Sequence, residues 1–120
     1  MGAKQTKVEN DFCDAINCDS GARVGELLIQ YPELANATLH KGTTNPMCRA
    51  SWMGNDNIIL LLLKYGSDIN ARSREGRTPI MYAAMKGWIK TVEILLDNGA
   101  EKELTDAEGL NVFDICVIQE

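Results

Sequence analysis

Apolar and polar positions along this chain recur with a helical period, most clearly over residues 76–99. Thr78 is an N-cap candidate, because its hydroxyl can accept from a backbone N–H of the first turn. Pro79 follows at the first helical position, where its fixed φ suits a helix and its missing N–H costs nothing. Ile80, Ala83 and Ala84 then fall at i, i+3 and i+4 and make one small apolar face. Gly87 suits the left-handed residue that ends a helix. A second helix is predicted from about Ile89, with Val92, Leu95 and Leu96 on one face and Gly99 ending it. Two short helices folded back on each other are the result, and the alanines let a neighbouring helix come close.

Such a pair cannot bury its apolar face alone, so a stacked copy is expected. Pro46 and Pro79 are 33 apart, as are Ala50 and Ala83, Gly54 and Gly87, Leu62 and Leu95, Gly66 and Gly99, and Gly76 and Gly109. The step divides the chain into a flexible polar tail over residues 1–10 and repeats at about 11–37, 42–74 and 75–107, followed by a half-repeat over 108–120. In the first repeat, helices are predicted from about Phe12 to Cys18 and from Arg23 to Tyr31, closed by Pro32. Its step is 35, it lacks the Thr-Pro pair, and Gly21 and Gly25 weaken its second helix. These are the irregularities of a capping repeat. In the second repeat Asn45 replaces Thr as the N-cap. Leu60 takes the slot of Glu93, and the apolar run on both sides predicts a slight rotation that buries it. The fourth unit offers Asn111, Val112 and Asp114 in the capping slots and an apolar face of Phe113, Cys116 and Val117, with no second helix before Glu120.

The repeated unit resembles an ankyrin repeat. The pattern G-x-T-P-L-H-x-A-A-x-x-G-H corresponds to Gly76–Trp88, V-x-x-L-L to Val92–Leu96, and G-A/S-D-V/I-N-A to Gly66-Ser67-Asp68-Ile69-Asn70-Ala71. The likeness runs from about Asp11 to Ile118. Cys48 and Asp114 depart from it at the histidine slot. The resemblance implies an all-α solenoid of helix-turn-helix units joined by β-hairpin-like loops, in a small ankyrin-repeat protein or an ankyrin domain.

Composition changes this picture little. The chain has 120 residues, one domain by length, with 45% apolar and 24% charged residues. The net charge of −5 argues against a nucleic-acid partner, which would call for cationic neutralisation of phosphates. No run approaches the ~20 apolar residues of a membrane span. With no secretory signal, the Asn36-Ala37-Thr38 sequon reads as a plain loop. The four cysteines lack metal-ligand spacing and are expected as reduced, mostly buried thiols in a cytoplasmic setting. No catalytic constellation, phosphate-binding loop or metal motif is present, and His40, the single histidine, has no partner base or nucleophile. The expectation is therefore a non-enzyme with no cofactor and no small-molecule substrate.

What remains is a surface for another protein. The resemblance places contact positions at the loop tips and on the exposed side of each first helix. They are Lys41, Trp52 and Met53 in repeat two; Arg74, Glu75, Arg77, Met85 and Lys86 in repeat three; and Ala107, Glu108 and Leu110 in repeat four. Trp, Met and Arg are enriched at interface centres, although Trp52 packing on its own stack is the plainer alternative. Tyr82 and Arg49 share an inner-helix slot and fit either role. Trp88 is expected to pack between repeats.

Two modification signals stand apart. Met1-Gly2-Ala3-Lys4-Gln5-Thr6 matches the N-myristoylation pattern, which would put Gly2 on the inner face of a membrane, weakly and reversibly; the other reading is an incidental glycine. The resemblance also makes Asn70 a candidate for asparaginyl hydroxylation, against its ordinary role of bonding the hairpin. The leading expectation is an adaptor or regulator. The alternative is the N-terminal targeting domain of a larger signalling enzyme continuing past Glu120.

Overall fold

The computed structural model describes residues 2–39 and 43–119, with side chains for 7–39 and 43–116. Its elements are α1 (Gly2–Asn17), α2 (Gly21–Gln30), a 3-10 turn (Pro32–Asn36), α3 (Pro46–Met53), α4 (Asp56–Lys64), α5 (Pro79–Lys86), α6 (Ile89–Asp97) and α7 (Val112–Gln119). No strand occurs among the described residues; an isolated bridge pairs Leu39 with Thr44.

The helices pair as their sequence patterns require. Asn45 Oδ1 accepts from the Cys48 N–H at 2.9 Å, and Pro46 takes the first position of α3. Thr78 and Pro79 hold the same places before α5, where the Thr78 N–H reaches Met81 Sδ at 3.5 Å. Before α7, Asn111 and Asp114 bond reciprocally, each side chain accepting from the other's backbone N–H at 3.0–3.1 Å. Cys48, Met81 and Asp114 thus share one repeat slot and each contributes a hydrogen bond near its cap. Cys48 does so across the repeat, its thiol directed at the carbonyls of Ala71 (3.3 Å) and Arg77 (3.5 Å).

The first helices α1, α3, α5 and α7 pack side by side as an inner layer, and α2, α4 and α6 back them as an outer layer. The core runs continuously between the layers: Phe12, Ile16 and Leu28, then Met47, Ile58, Ile59 and Leu62, then Ile80, Met81 and Leu95, and last Val112 and Ile115. The stack measures 41 × 25 × 21 Å.

Recurring polar bonds join one repeat to the next. The Asn55 Nδ2 donates to the Ile16 carbonyl at 2.7 Å, and the Trp88 indole N–H, in the same slot one repeat on, donates to the Trp52 carbonyl at 2.9 Å. The Trp88 ring lies over Gly54, where a Cβ would stand 2.8 Å from it at a φ of +71°. Asn36 bonds Gly66 and Asp68, and Asn70 Oδ1 accepts from the Glu101 N–H at 3.0 Å. At the loop tips the Ala107 N–H donates to the Glu75 carbonyl at 3.1 Å, which brings the next loop so near Gly76 that a side chain there would meet Ala107 N at 2.8 Å.

Three expectations need correction. Residues 2–10 belong to helix α1 and do not form a separate tail: after Gly2 their sequence, though polar, has neither Gly nor Pro. Leu60 is 45% exposed: Ile58, Ile59 and Leu62 already fill the faces of α4, so no rotation buries it. Cys13 and Cys48 are buried, but Cys18 and Cys116 are exposed. The first repeat also carries a 3-10 turn after α2, which closes Leu34 and Ala35 over the core. Trp88 does pack between repeats, with one edge open to solvent.

Candidate functional site

The inner layer and the loop tips enclose a cleft of about 310 Å³. Its floor is helical. Arg49 and Trp52 lie one turn apart on α3, and Tyr82 and Met85 lie one turn apart on α5, so all four side chains share the same face. Cys48 lies below. Thr43 and Thr44, and Glu75 and Arg77 on the loop before α5, complete the lining.

Trp52 stands at the centre. Its ring meets Tyr82 edge to face, with centroids 5.9 Å apart and planes at 83°. The Lys86 ammonium sits 4.7 Å from the indole centroid, within cation–π range. The Tyr82 hydroxyl reaches Ser73 Oγ at 2.8 Å and Glu75 Oε1 at 3.4 Å. Burial raises the Tyr82 phenol above its ordinary pKa, against the opposing hydrogen bond from Ser73. Arg49 is held by its Nε donating to Asn17 Oδ1 at 2.7 Å. Burial likewise pushes the Cys48 thiol up to about 12, with the Asn45 hydrogen bond working the other way. The thiol is therefore neutral and no nucleophile near neutral pH.

Arg77 ties the cleft to the next loop. Its Nη1 lies 3.2 Å from Glu75 Oε2 and its Nε 3.7 Å from Asp106 Oδ2. Asp106 is buried, and its Oδ1 accepts from the N–H groups of Glu108 (2.9 Å) and Leu110 (3.0 Å). Burial would raise this carboxyl, but those two N–H groups and the Arg77 guanidinium outweigh it and hold it below the usual value. Arg77 is thus both a wall of the cleft and a brace for the fourth loop.

Of the expected contact positions, Trp52, Glu75, Arg77 and Met85 line the cleft, and Lys86 caps its tryptophan. Met53 lies outside the lining, at the end of α3. Arg74 is exposed at the loop tip, its N–H donated to the Thr43 carbonyl at 3.1 Å. Ala107 and Glu108 are exposed and Leu110 half-buried around Asp106, one loop further along. Lys41 and His40 lie outside the described residues. Gly2 is the first residue of α1. Asn70 has its amide oxygen on Glu101 and its own N–H on Asp68, the hairpin-bonding role. The lining residues missed as contacts are Thr43, Thr44 and Cys48, while Arg49 and Tyr82 were open either way. The i, i+3 spacing of Arg49 with Trp52, repeated by Tyr82 with Met85, is the signal that joins the last two to the cleft.

A second hollow, of about 280 Å³, lies at the far end of the stack between Ala84, Gly87, Ile89, Val92, Glu93 and Cys116. Among the described residues no group of three or more His, Cys, Asp or Glu is placed to hold a metal ion, and no helix is long and apolar enough to cross a membrane.

A family model for ankyrin repeats, in three copies, matches residues 47–119. Human protein phosphatase 1 regulatory subunit 27 is similar to this chain, 30% identical over 91% of the chain and 71% of its own length. Its mouse counterpart is 28% identical over the same shares. The putative ankyrin repeat protein FPV219 of fowlpox virus is 34% identical over 73% of the chain, which spans 18% of that protein.

Proposed function

Because the chain belongs to the ankyrin-repeat family, whose stacked helices serve as protein-interaction modules, we propose that it is a non-catalytic adaptor or regulator that holds a partner protein in the cleft around Trp52. The observation that carries this reading is the chemistry of the cleft. In a chain of net charge −5, an aromatic pair is set among Arg49, Arg77 and Lys86, with Glu75 the acidic group of the lining. An apolar side chain would rest on Trp52 and Met85, and a neighbouring carboxylate on the partner would meet the cations. Lys86 over the indole supports this assignment, since the cation lies beside the apolar anchor. The human and mouse relatives covering most of the chain bear the name of a regulatory subunit, which favours regulation over a passive spacer.

Membrane tethering through Gly2 is a separate part of the proposal, and so is residence in the cytoplasm. Intact mass of the protein from eukaryotic cells, compared with Gly2→Ala, tests the tether; an unmodified N-terminus removes it. For the cleft, affinity capture from cells with Trp52→Ala and with Lys86→Glu is the test. Partners captured by the wild-type chain should fall by about tenfold or more in each variant. Unchanged capture by both, with wild-type circular dichroism, would refute the cleft as the binding surface.

A further inference from the structure

The cleft already holds an anion of its own chain. Glu75 spans two donors: its Oε2 lies 3.2 Å from Arg77 Nη1, and its Oε1 lies 3.4 Å from the Tyr82 hydroxyl. A carboxylate can only accept, whereas a hydroxyl both donates and accepts. The Tyr82 proton therefore serves Glu75, and the buried Ser73 hydroxyl, 2.8 Å from the Tyr82 oxygen, serves Tyr82. Burial keeps the phenol protonated near neutral pH. Arg77, Tyr82 and Ser73 together form a seat for a carboxylate.

Glu75 fills this seat loosely. Its side chain is 64% exposed, against 23% for Arg77, and both of its contacts are longer than the roughly 2.5–2.9 Å of close charge-assisted bonds. The loop does not need the side chain, because the backbone holds it. The Glu75 carbonyl accepts from the Ala107 N–H at 3.1 Å, and the Gly76 N–H donates to the Ser73 carbonyl at 2.9 Å. The donors also keep their places without Glu75. Arg77 Nε is anchored 3.7 Å from the buried Asp106 carboxylate, and the Tyr82 ring rests against Trp52. Nor is the arrangement a feature of the repeat. One step on, the slots of Glu75, Arg77 and Tyr82 hold Glu108, Leu110 and Ile115, an acid with two aliphatic side chains in place of the donors.

Charge and position narrow what can replace it. Arg49 and Arg77 line the cleft and Lys86 covers its tryptophan, with Glu75 the acidic residue of the lining. The seat adjoins Tyr82, whose ring meets Trp52, so an anion in it stands next to the apolar surface of Trp52 and Met85. Arg77 already shares its charge with Asp106. What it has left balances a single negative charge better than a phosphate dianion. Resting on the cleft as the partner's binding surface, we propose that Arg77 and Tyr82 seat a glutamate or aspartate side chain of the partner, flanked by an apolar one, and that Glu75 occupies this seat until the partner's carboxylate displaces it. Glu75 is then an internal competitor, which sets a threshold that only a partner bringing both an acid and an apolar anchor passes.

The probe is the peptide acetyl-Leu-Glu-Leu-amide, titrated at constant ionic strength into the 120-residue chain with isotope-labelled methionine methyl groups, followed by NMR. Met85 should report saturable binding at about millimolar affinity, while Met47, buried in the core, stays silent. Acetyl-Leu-Gln-Leu-amide, which lacks only the charge, should bind about threefold or more weakly. Glu75→Gln should tighten the binding of the Glu peptide by about threefold or more, the reverse of what loss of a residue that positions Arg77 would do. Tyr82→Phe added to Glu75→Gln should weaken that binding by about threefold or more, through loss of one donor with the ring retained. Circular dichroism checks that each variant folds. No saturable shift, equal binding of the Gln peptide, or an unchanged or weaker affinity in Glu75→Gln would each overturn the proposal. Equal or tighter binding of acetyl-Leu-Gln-Leu with a free C-terminal carboxylate, or of acetyl-Leu-phosphoserine-Leu-amide, would overturn it too, by assigning the seat to a chain terminus or a phosphorylated side chain. The two readings fail separately. Partner capture lost in Trp52→Ala but unchanged in Glu75→Gln keeps the cleft and removes the exchange, whereas capture unchanged in both Trp52→Ala and Lys86→Glu removes the cleft itself.

Discussion

At the scale of single residues, two equivalent glycines give a controlled comparison. Gly54 and Gly87 both have positive φ, +71° and +76°, so alanine at either adds the left-handed backbone cost of about 1 kcal/mol. Only at Gly54 does the new methyl also strike the Trp88 ring, and relieving that clash breaks the Trp88–Trp52 hydrogen bond. Gly54→Ala is therefore expected to lose about 1 kcal/mol more than Gly87→Ala in urea titrations. Cys48 offers a second check through pH. Its folded thiol stays protonated from the ordinary 9.0 up to about 12, whereas the unfolded thiol ionises above 9.0. The folded chain holds more protons in that window, so stability falls as pH rises through it and is unaffected by this group below it. Cys48→Ala removes the effect. Between about pH 8 and about pH 10, the wild-type midpoint in urea should fall more than that of the variant.

At the scale of elements, stability should grade along the stack, because each repeat gains from its neighbours. Helices α3 and α5 are flanked on both sides, whereas α7 packs chiefly on α5 and leaves Phe113 in solvent. Native-state hydrogen exchange should show α7 amides exchanging through local opening well before those of α3 and α5; equal protection would contradict the grading. The elements were also what the sequence revealed best. The 33-residue step, the Asn45, Thr78 and Asn111 caps and the glycine stops located α3 to α7 closely, because these signals are local. Helix α1 was missed back to Gly2 since its first residues have no apolar period to read. Leu60 was misjudged because a run apolar all round does not tell which side faces the neighbouring helices. The cleft was half legible: Trp52, Glu75, Arg77 and Met85 are positions that the ankyrin resemblance implies. The inclusion of Thr43, Thr44 and Cys48 depends on how closely the loop approaches α3, a distance no spacing encodes.

At the scale of the whole molecule, the stack carries a cleft lined by Arg49 and Arg77, with Lys86 beside its tryptophan, on a chain that is acidic in sum. A partner engaging the cations of the cleft should do so with an on-rate that falls as salt rises. The chain's two tryptophans mark this cleft and the junction of the second and third repeats. Trp52 lies under Lys86 in the cleft, and Trp88 sits over Gly54 with its indole N–H anchored to the Trp52 carbonyl of α3. The protein therefore carries two intrinsic optical probes at separate stations. With Trp88→Phe the remaining emission reports what enters the cleft, and with Trp52→Phe it reports whether adjoining repeats have parted. Occupancy and unzipping become distinguishable by colour and intensity, with no dye attached.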